Sequence, residues 1–250
     1  MTNETAFAQD LIDFIYSSPS PFHVVRRIED RLTTAGFTKL VQADRWTLEK
    51  GGKYYITRND SAVIAFVVGS GEVEEEGFRL VAAHTDAPSF RIKPAPEIVA
   101  EKAYLKLNTE TYDGPILNTW LDRPLSMAGR VSLKNDDPLH PETRLVSFDD
   151  PLLVIPNQSL HMNRKVNEGI ELNKQKDMLP LLAQVTEEFE KDGFLVGLLA
   201  GKLGVKAGQV VDFDLFLHDC AKGCLVGLNR EFISSTRLDD LAMVHAGLYA

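Results

Sequence analysis

Cysteine is almost missing from this chain: 250 residues contain only Cys220 and Cys224. One pair with three residues between its members, and no second pair elsewhere, excludes a disulfide framework, a zinc knuckle and a Cys-x-x-Cys redox motif. Both residues are therefore expected to be free thiols in a reducing, cytoplasmic compartment. Positive charge is also short. Lys and Arg number 27 against 36 Asp and Glu, for a net charge of −9 and a pI near 5.2, and no basic cluster reverses this locally. Such a field repels phosphate backbones, so no nucleic-acid partner is expected. No window approaches the ~20 apolar residues that span a bilayer. The opening Met1-Thr2-Asn3-Glu4-Thr5 has neither the basic region nor the apolar core of a secretory leader, and no membrane partner is expected. There is no Gly-x-Ser-x-Gly elbow, and Gly69-Ser70-Gly71 is too short to cradle phosphates.

With 44% hydrophobic and 25% charged residues, the chain has the makings of one large core or two smaller ones. Phe7, Leu11, Phe14 and Ile15 recur at helical spacing up to Ser17-Ser18-Pro19. A second helix starts at Ser20 as cap and Pro21 in the first turn, carries Val24, Val25, Ile28 and Leu32 on one face, and stops at Gly36. Two β-rich runs flank an Asn59-Asp60 turn, and the second, Ala62 to Val68, is apolar throughout, as in a strand buried on both faces. Glu72 to Glu76 reads as a solvated acidic loop. Phe78 to Ala83 reads as a further strand, giving a central sheet flanked by helices.

After Pro94-Ala95-Pro96 the strands become shorter, more alternating and more often broken by turns, which predicts a second domain. Its expected strands are Ala103 to Leu107, Gly129 to Lys134, Arg144 to Phe148 and Leu152 to Ile155, with a helix from about Met178 to Lys191 ending at Gly193. Val211, Phe213, Leu215 and Leu217 alternate with mostly polar neighbours in one more strand. Leu241 to Ala250 are mostly strong helix formers with no proline among them, so that helix is expected to run on. The domain reading is 1–95 as a first catalytic segment, 96–235 as a β-rich insert, and 236–250 as the return.

The chemistry centres on Leu80-Val81-Ala82-Ala83-His84-Thr85-Asp86-Ala87-Pro88. In an extended segment residues i and i+2 share a side, so Asp86 can orient the His84 ring and fix its tautomer while the other ring nitrogen meets a cation. The bland reading is a hydrogen-bonded histidine at a strand end. Asp239 and Asp240 follow a β-rich stretch and precede a helix; as a pair they either cap that helix or point into a cleft. His84 is the best available partner for them.

Several separated runs, in this order, resemble the aspartyl aminopeptidase and vacuolar aminopeptidase family. They are Ser20-Pro21-Phe22-His23; His84 to Pro88 with Arg91-Ile92-Lys93-Pro94; Asn118-Thr119-Trp120-Leu121-Asp122-Arg123-Pro124-Leu125-Ser126-Met127-Ala128-Gly129-Arg130; Ile155-Pro156 to His161; and Arg237-Leu238-Asp239-Asp240-Leu241. The resemblance covers essentially the whole chain and corresponds to the family's N-terminal part. It implies a zinc-peptidase-type α/β catalytic domain, partial here, with an inserted β-rich dimerisation domain. The implied enzyme is a metal-dependent aminopeptidase that releases N-terminal residues from peptide substrates using two zinc ions, with cobalt or manganese as alternatives. A homodimer or larger homo-oligomer is also implied. On this resemblance His84 is a terminal metal ligand, Asp86 its orienting carboxylate and Asp239 the carboxylate bridging both ions. Asp240 stands where the family usually has asparagine. His161 is the insert residue that reaches a neighbouring subunit's active site to bind the substrate or the developing oxyanion.

The family's Glu-Glu pair and its further aspartate and histidine correspond to positions beyond Ala250. Residues 1–250 by themselves are accordingly expected to be inactive and to bind zinc weakly. The competing reading is a noncatalytic dimerisation or regulatory module that retains part of a metal site; a related metal-dependent deacylase is a third. Trp120, Asp122 and Arg123 are assigned to packing and interface ion pairing. His23, His140, His218 and His245 are read as structural or exposed.

Overall fold

The computed structural model describes residues 3–186 and 189–250. The chain divides into two compact units, one made of Met1–Ala87 with Lys222–Ala250 and the other of Pro88–Ala221.

The first unit begins with helices α1 (Asn3–Tyr16) and α2 (Pro21–Thr34). Ser20 caps α2 as its sequence dictates: the hydroxyl accepts from the His23 amide, and Pro21 occupies the first turn, where a missing N–H costs nothing. Gly36, at φ 82°, ends the helix in the left-handed region that only glycine enters freely. Strands β1 (Thr38–Lys39), β2 (Lys53–Arg58) and β3 (Ala62–Val67) form a three-stranded sheet in that order, parallel then antiparallel. Asn59 and Asp60 both sit at φ 52° in the β2–β3 turn, the conformation a tight hairpin demands. Leu11, Phe14 and Ile15 of α1 pack with Val24, Ile28 and Leu32 of α2 and with Tyr55 of β2. The acidic run forms a short exposed helix, α3 (Val73–Glu76), with Glu72 paired to Lys50 at 2.6 Å.

Two expectations fail in this unit for one reason. β3 is not buried on both faces: it is the sheet edge, and Ile64 and Val67 are exposed. Residues 78–83 do not form a strand. They run without regular structure, with Phe78 78% and Leu80 88% exposed. Apolar, β-prone residues become buried strand only when a neighbour supplies the other half of the ladder, and none does so here among the described residues.

The second unit is a six-stranded antiparallel sheet. Its strands are β4 (Ser89–Ala100), β5 (Tyr104–Tyr112), β6 (Leu125–Leu133), β7 (Glu142–Ser147), β8 (Leu181–Gln184) and β9 (Val210–Asp219), in the spatial order β7-β6-β9-β4-β5-β8. Helix α4 (Phe194–Leu203) buries Leu195 and Leu199 against it in a core that includes Phe90, Leu107, Met127, Leu215 and Leu217. Glu97 accepts a hydrogen bond at 2.8 Å from the Leu195 amide, placing a carboxylate at the α4 N-terminus, where orphan donors and the helix dipole both favour it. Gly129 of β6 permits close strand approach, since a Cβ there would lie 2.0 Å from the Asp214 carbonyl oxygen.

The unit boundaries differ from those read at 95 and 235. Pro94-Ala95-Pro96 lies inside a strand. It is an irregularity within β4, where pairing with β5 shifts between Ile92 and Glu97 and Ala95 sits at φ 47°. The hairpin of β10 (Cys224–Val226) and β11 (Phe232–Ser234) lies in the first unit, before α5 (Leu238–Gly247). The helix expected over Met178 to Lys191 is also displaced. Leu181–Gln184 is strand β8, paired with β5, positions 187 and 188 lie outside the described residues, and Gly193 starts α4 rather than ending a helix. Leu152 to Ile155 makes only isolated bridges. In β9 the expected alternation gives way to burial of Leu215, Phe216 and Leu217 in succession: Leu215 and Leu217 enter the core on one face, and Phe216 on the other packs edge-on against Tyr112 with ring centroids 5.2 Å apart.

Candidate metal centre

Within the first unit, folding brings together His84, Asp86, Asp239 and Asp240. Thr85 anchors the incoming segment through its hydroxyl, which donates to the Ser61 carbonyl at 2.8 Å beside the β2–β3 turn. Across from it stands the start of α5, where the chain enters through Arg237 at φ 56°. Asp239 (φ −88°, ψ 111°) and Asp240 (φ −115°, ψ 23°) are not yet helical, so both carboxylates leave the backbone ahead of the first regular turn.

His84 Nε2 lies 3.3 Å from Asp239 Oδ1 and 4.0 Å from Asp240 Oδ2, while the His84 amide donates to Asp240 Oδ2 at 3.2 Å. On the other side of the ring, Nδ1 is 3.1 Å from the Asp86 carbonyl oxygen and 3.2 Å from its Oδ1. Both of those Asp86 atoms are acceptors, so the proton of the neutral ring belongs on Nδ1, and Nε2 turns a lone pair toward Asp239. Burial works against the charged imidazole. The Asp86 carbonyl and the Asp86 and Asp240 carboxylates outweigh it and hold the pKa above the ordinary 6.5. The same ring of acceptors that favours a proton on the imidazole also suits a cation beside it.

The separation of the two facing donors suits a metal. Zn–N and Zn–O bonds of about 2.0–2.1 Å at a tetrahedral ion place two ligand atoms about 3.3–3.4 Å apart, and the His84–Asp239 distance is 3.3 Å. Asp239 has a side chain 90% exposed, leaving its carboxylate open to further contacts. The set is short of a full cage: among the described residues no group of three or more His, Cys, Asp or Glu side chains is placed to hold an ion.

His161 is placed elsewhere. It belongs to the second unit, exposed in the irregular stretch between β7 and β8. Trp120 packs edge-on against Phe90 with ring centroids 5.1 Å apart, and Asp122 accepts from the Asn157 amide at 2.9 Å. Arg123 pairs with Asp219 at 2.5 Å within the same unit. His140 reaches Asp137 at 2.7 Å in an exposed turn. Sequence reading missed two partnerships: the Asp240 contact with the His84 amide, and the hydrogen bond of the buried His245 ring to Asp10. Neither leaves a local signal, since in each case the partners are far apart in the chain.

A mixed α/β unit in which an imidazole faces a carboxylate at 3.3 Å is thus interrupted in sequence by an antiparallel β unit. The chain belongs to the family of aminopeptidase I zinc metalloproteases (M18), whose pattern matches residues 14–250. It is 54% identical over 248 residues to a probable M18 family aminopeptidase 2 of Clostridium novyi, covering 99% of this chain and 57% of that protein. It is 44% identical to the Pseudomonas aeruginosa protein of the same description, covering 97% and 56%. Among solved structures it is similar to yeast aminopeptidase 1, at 27% identity and a TM-score of 0.82 over 99% of this chain and 56% of that one. It is also similar to a chain in the complex of Ape4 and Nbr1, at 32% identity and a TM-score of 0.87 over 98% and 50%. The chain thus spans little more than half the length of the curated relatives it matches.

Proposed function

We propose that this chain contributes His84 and Asp239 to the metal site of an aminopeptidase that removes N-terminal residues from peptides. The observation that carries the reading is the 3.3 Å approach of His84 Nε2 to Asp239 Oδ1 between residues remote in sequence. Family membership supports zinc as the metal. A pair of zinc ions bound there would supply a water made nucleophilic at neutral pH and a positive charge for the scissile carbonyl. The residues present have simpler tasks. Asp86 fixes the His84 ring and its tautomer, Asp239 offers one oxygen toward His84 and keeps the carboxylate open for a bridging role, and Asp240 ties the His84 backbone to the start of α5.

His161 is proposed to serve a neighbouring subunit's site, and the unit of residues 88–221 to mediate association. Support comes from a relative of known structure described as a dodecamer, yeast mApe1, at 27% identity and a TM-score of 0.81. A cytoplasmic setting is proposed from the two free cysteines, Cys220 and Cys224. No helix among the described residues is long and apolar enough to cross a membrane.

The second reading is a noncatalytic association module, in which the antiparallel β unit of residues 88–221 mediates assembly. Both readings meet one test. The chain, alone and within the longest product of its gene, is assayed on a panel of aminoacyl amides with metal analysis alongside. The aminopeptidase reading expects turnover and zinc content in the longer product that both vanish with His84→Ala. Turnover indifferent to His84 and Asp239 would reject it, and association without zinc or turnover would favour the module.

A further inference from the structure

Helix α5 delivers Asp239 and Asp240, and α1 grips that helix at both ends. At the near end the Arg237 guanidinium donates through Nη2 to the Ile15 carbonyl at 2.9 Å, at the C-terminal end of α1. At the far end His245 is 1% exposed and places Nε2 2.6 Å from Asp10 Oδ2. A carboxylate can only accept, so His245 donates through Nε2. The same Asp10 carboxylate takes a two-pronged contact from Arg31, with Nη1 2.8 Å from Oδ2 and Nη2 2.9 Å from Oδ1, and a hydrogen bond from the Tyr249 hydroxyl at 2.8 Å. Phe7, Phe14 and Tyr249 close around the His245 ring with centroids 4.8, 5.8 and 5.1 Å away, and the Arg31 guanidinium lies 5.0 Å over the Phe14 ring.

This network is more than a surface ion pair. It combines a bidentate Arg–carboxylate contact with a buried imidazole, and such charge-assisted, partly desolvated bonds set geometry most firmly. Asp239 and Asp240 form the non-helical link between Arg237 and the regular turns of α5, so tying Arg237 on one side of that link and His245 on the other restricts where the two acids can go. His84 approaches on a segment without regular structure, whereas the acids facing it are held on α5. We propose that Asp10 and Arg237 are positioning residues for the metal site, holding α5 on α1 so that the Asp239 carboxylate meets the His84 ring. This rests on the reading of His84 and Asp239 as metal ligands and extends it to residues that touch no ion.

The test has two arms. Cobalt(II) is titrated into the chain and followed by its visible d–d absorption, and hydrogen–deuterium exchange is followed at residues 241–245 in the metal-free chain. Asp10→Ala is expected to weaken cobalt binding about 10- to 100-fold, the range for partners that orient metal ligands. It should also speed exchange in α5 at a temperature where the 88–221 unit exchanges as in the parent. Asp13→Ala changes neither, since Asp13 lies on the same helix but its carboxylate reaches Lys222 instead of α5. Asp10→Asn keeps an acceptor for His245 and recovers part of the affinity. Parental cobalt affinity with parental α5 exchange in Asp10→Ala overturns the proposal, as does equal weakening by Asp13→Ala. If Asp10→Ala does not fold, Asp10→Asn and Tyr249→Phe are read instead, and parental values in both overturn it. If the parent takes up no cobalt that His84→Ala removes, the metal reading has failed. The exchange arm then decides alone whether Asp10 holds α5: faster exchange supports the clamp and unchanged exchange refutes it.

Discussion

Strands β3 and β9 are both rich in apolar, β-prone residues, yet they lie in different surroundings. β9 is hydrogen-bonded on both sides and buries Leu215 and Leu217 in the core of the 88–221 unit. β3 pairs only with β2 and leaves Ile64 and Val67 in solvent, as residues 78–83 leave Phe78 and Leu80. Apolar content marks both segments as strand material; burial depends on neighbours that composition cannot supply. The 88–221 unit buries the middle of β9 although it leaves Val211 at the strand's start exposed, while the unit carrying His84 and Asp239 exposes Ile64 and Val67 within β3.

The sharpest way to break that comparison is to truncate equivalent apolar residues in the two units. The chain has two tryptophans, Trp46 in one unit and Trp120 in the other, so each unit can be followed by fluorescence after replacing the other unit's tryptophan with phenylalanine. Leu199→Ala, from full burial in α4, should lower the stability read by Trp120 by about 2–5 kcal/mol. Ile64→Ala should change that read by Trp46 by less than about 0.5 kcal/mol. Equal losses in denaturant melts would contradict the contrast. Next in size, Gly129→Val should destabilise the β unit by about 1–3 kcal/mol or more, because its Cβ would have to occupy space held by the Asp214 carbonyl. Ser20→Ala should cost the first unit about 1 kcal/mol through the lost α2 cap.

Acid titration sharpens the same contrast, since both perturbed groups with large shifts lie in the first unit. Burial, helped by the Arg27 charge, depresses the His23 pKa from 6.5 to about 4. The unfolded chain therefore binds the proton more readily in that window, and the stability His23 contributes is present above pH 6.5 and lost as pH falls toward 4. Burial works against the Asp10 carboxylate, but hydrogen bonds from Arg31, His245 and Tyr249 overcome it and bring the pKa from 3.8 to about 2. Its contribution is present above 3.8 and lost on the way down to 2. Denaturant midpoints against pH should fall first in the Trp46 signal, and His23→Gln should flatten the limb between 6.5 and 4. A limb of unchanged slope would count against the burial assigned to His23.

Helices with local punctuation were legible in the sequence. Ser20-Pro21 and Gly36 bracket α2 because capping and left-handed termination are decided by a few adjacent residues. The Asn59-Asp60 turn was legible for the same reason. The displaced helix around Met178 to Lys191 shows the limit, since strand β8 owes its state to pairing with β5 and Gly193, a residue commoner past helix ends, here precedes α4. His84 and Asp239 could be named from their runs, and Asp86 from its spacing. The Asp10–His245 pair could not, because nothing within a few residues of either marks the other.

The most direct test is anomalous diffraction at the zinc edge from crystals of the zinc-loaded chain. The account predicts a peak about 2.0–2.1 Å from His84 Nε2 and within about 2.2 Å of an Asp239 carboxylate oxygen, absent in His84→Ala. Zinc bound only at Cys220, Cys224 or other surface groups, with His84 and Asp239 without metal, would contradict it.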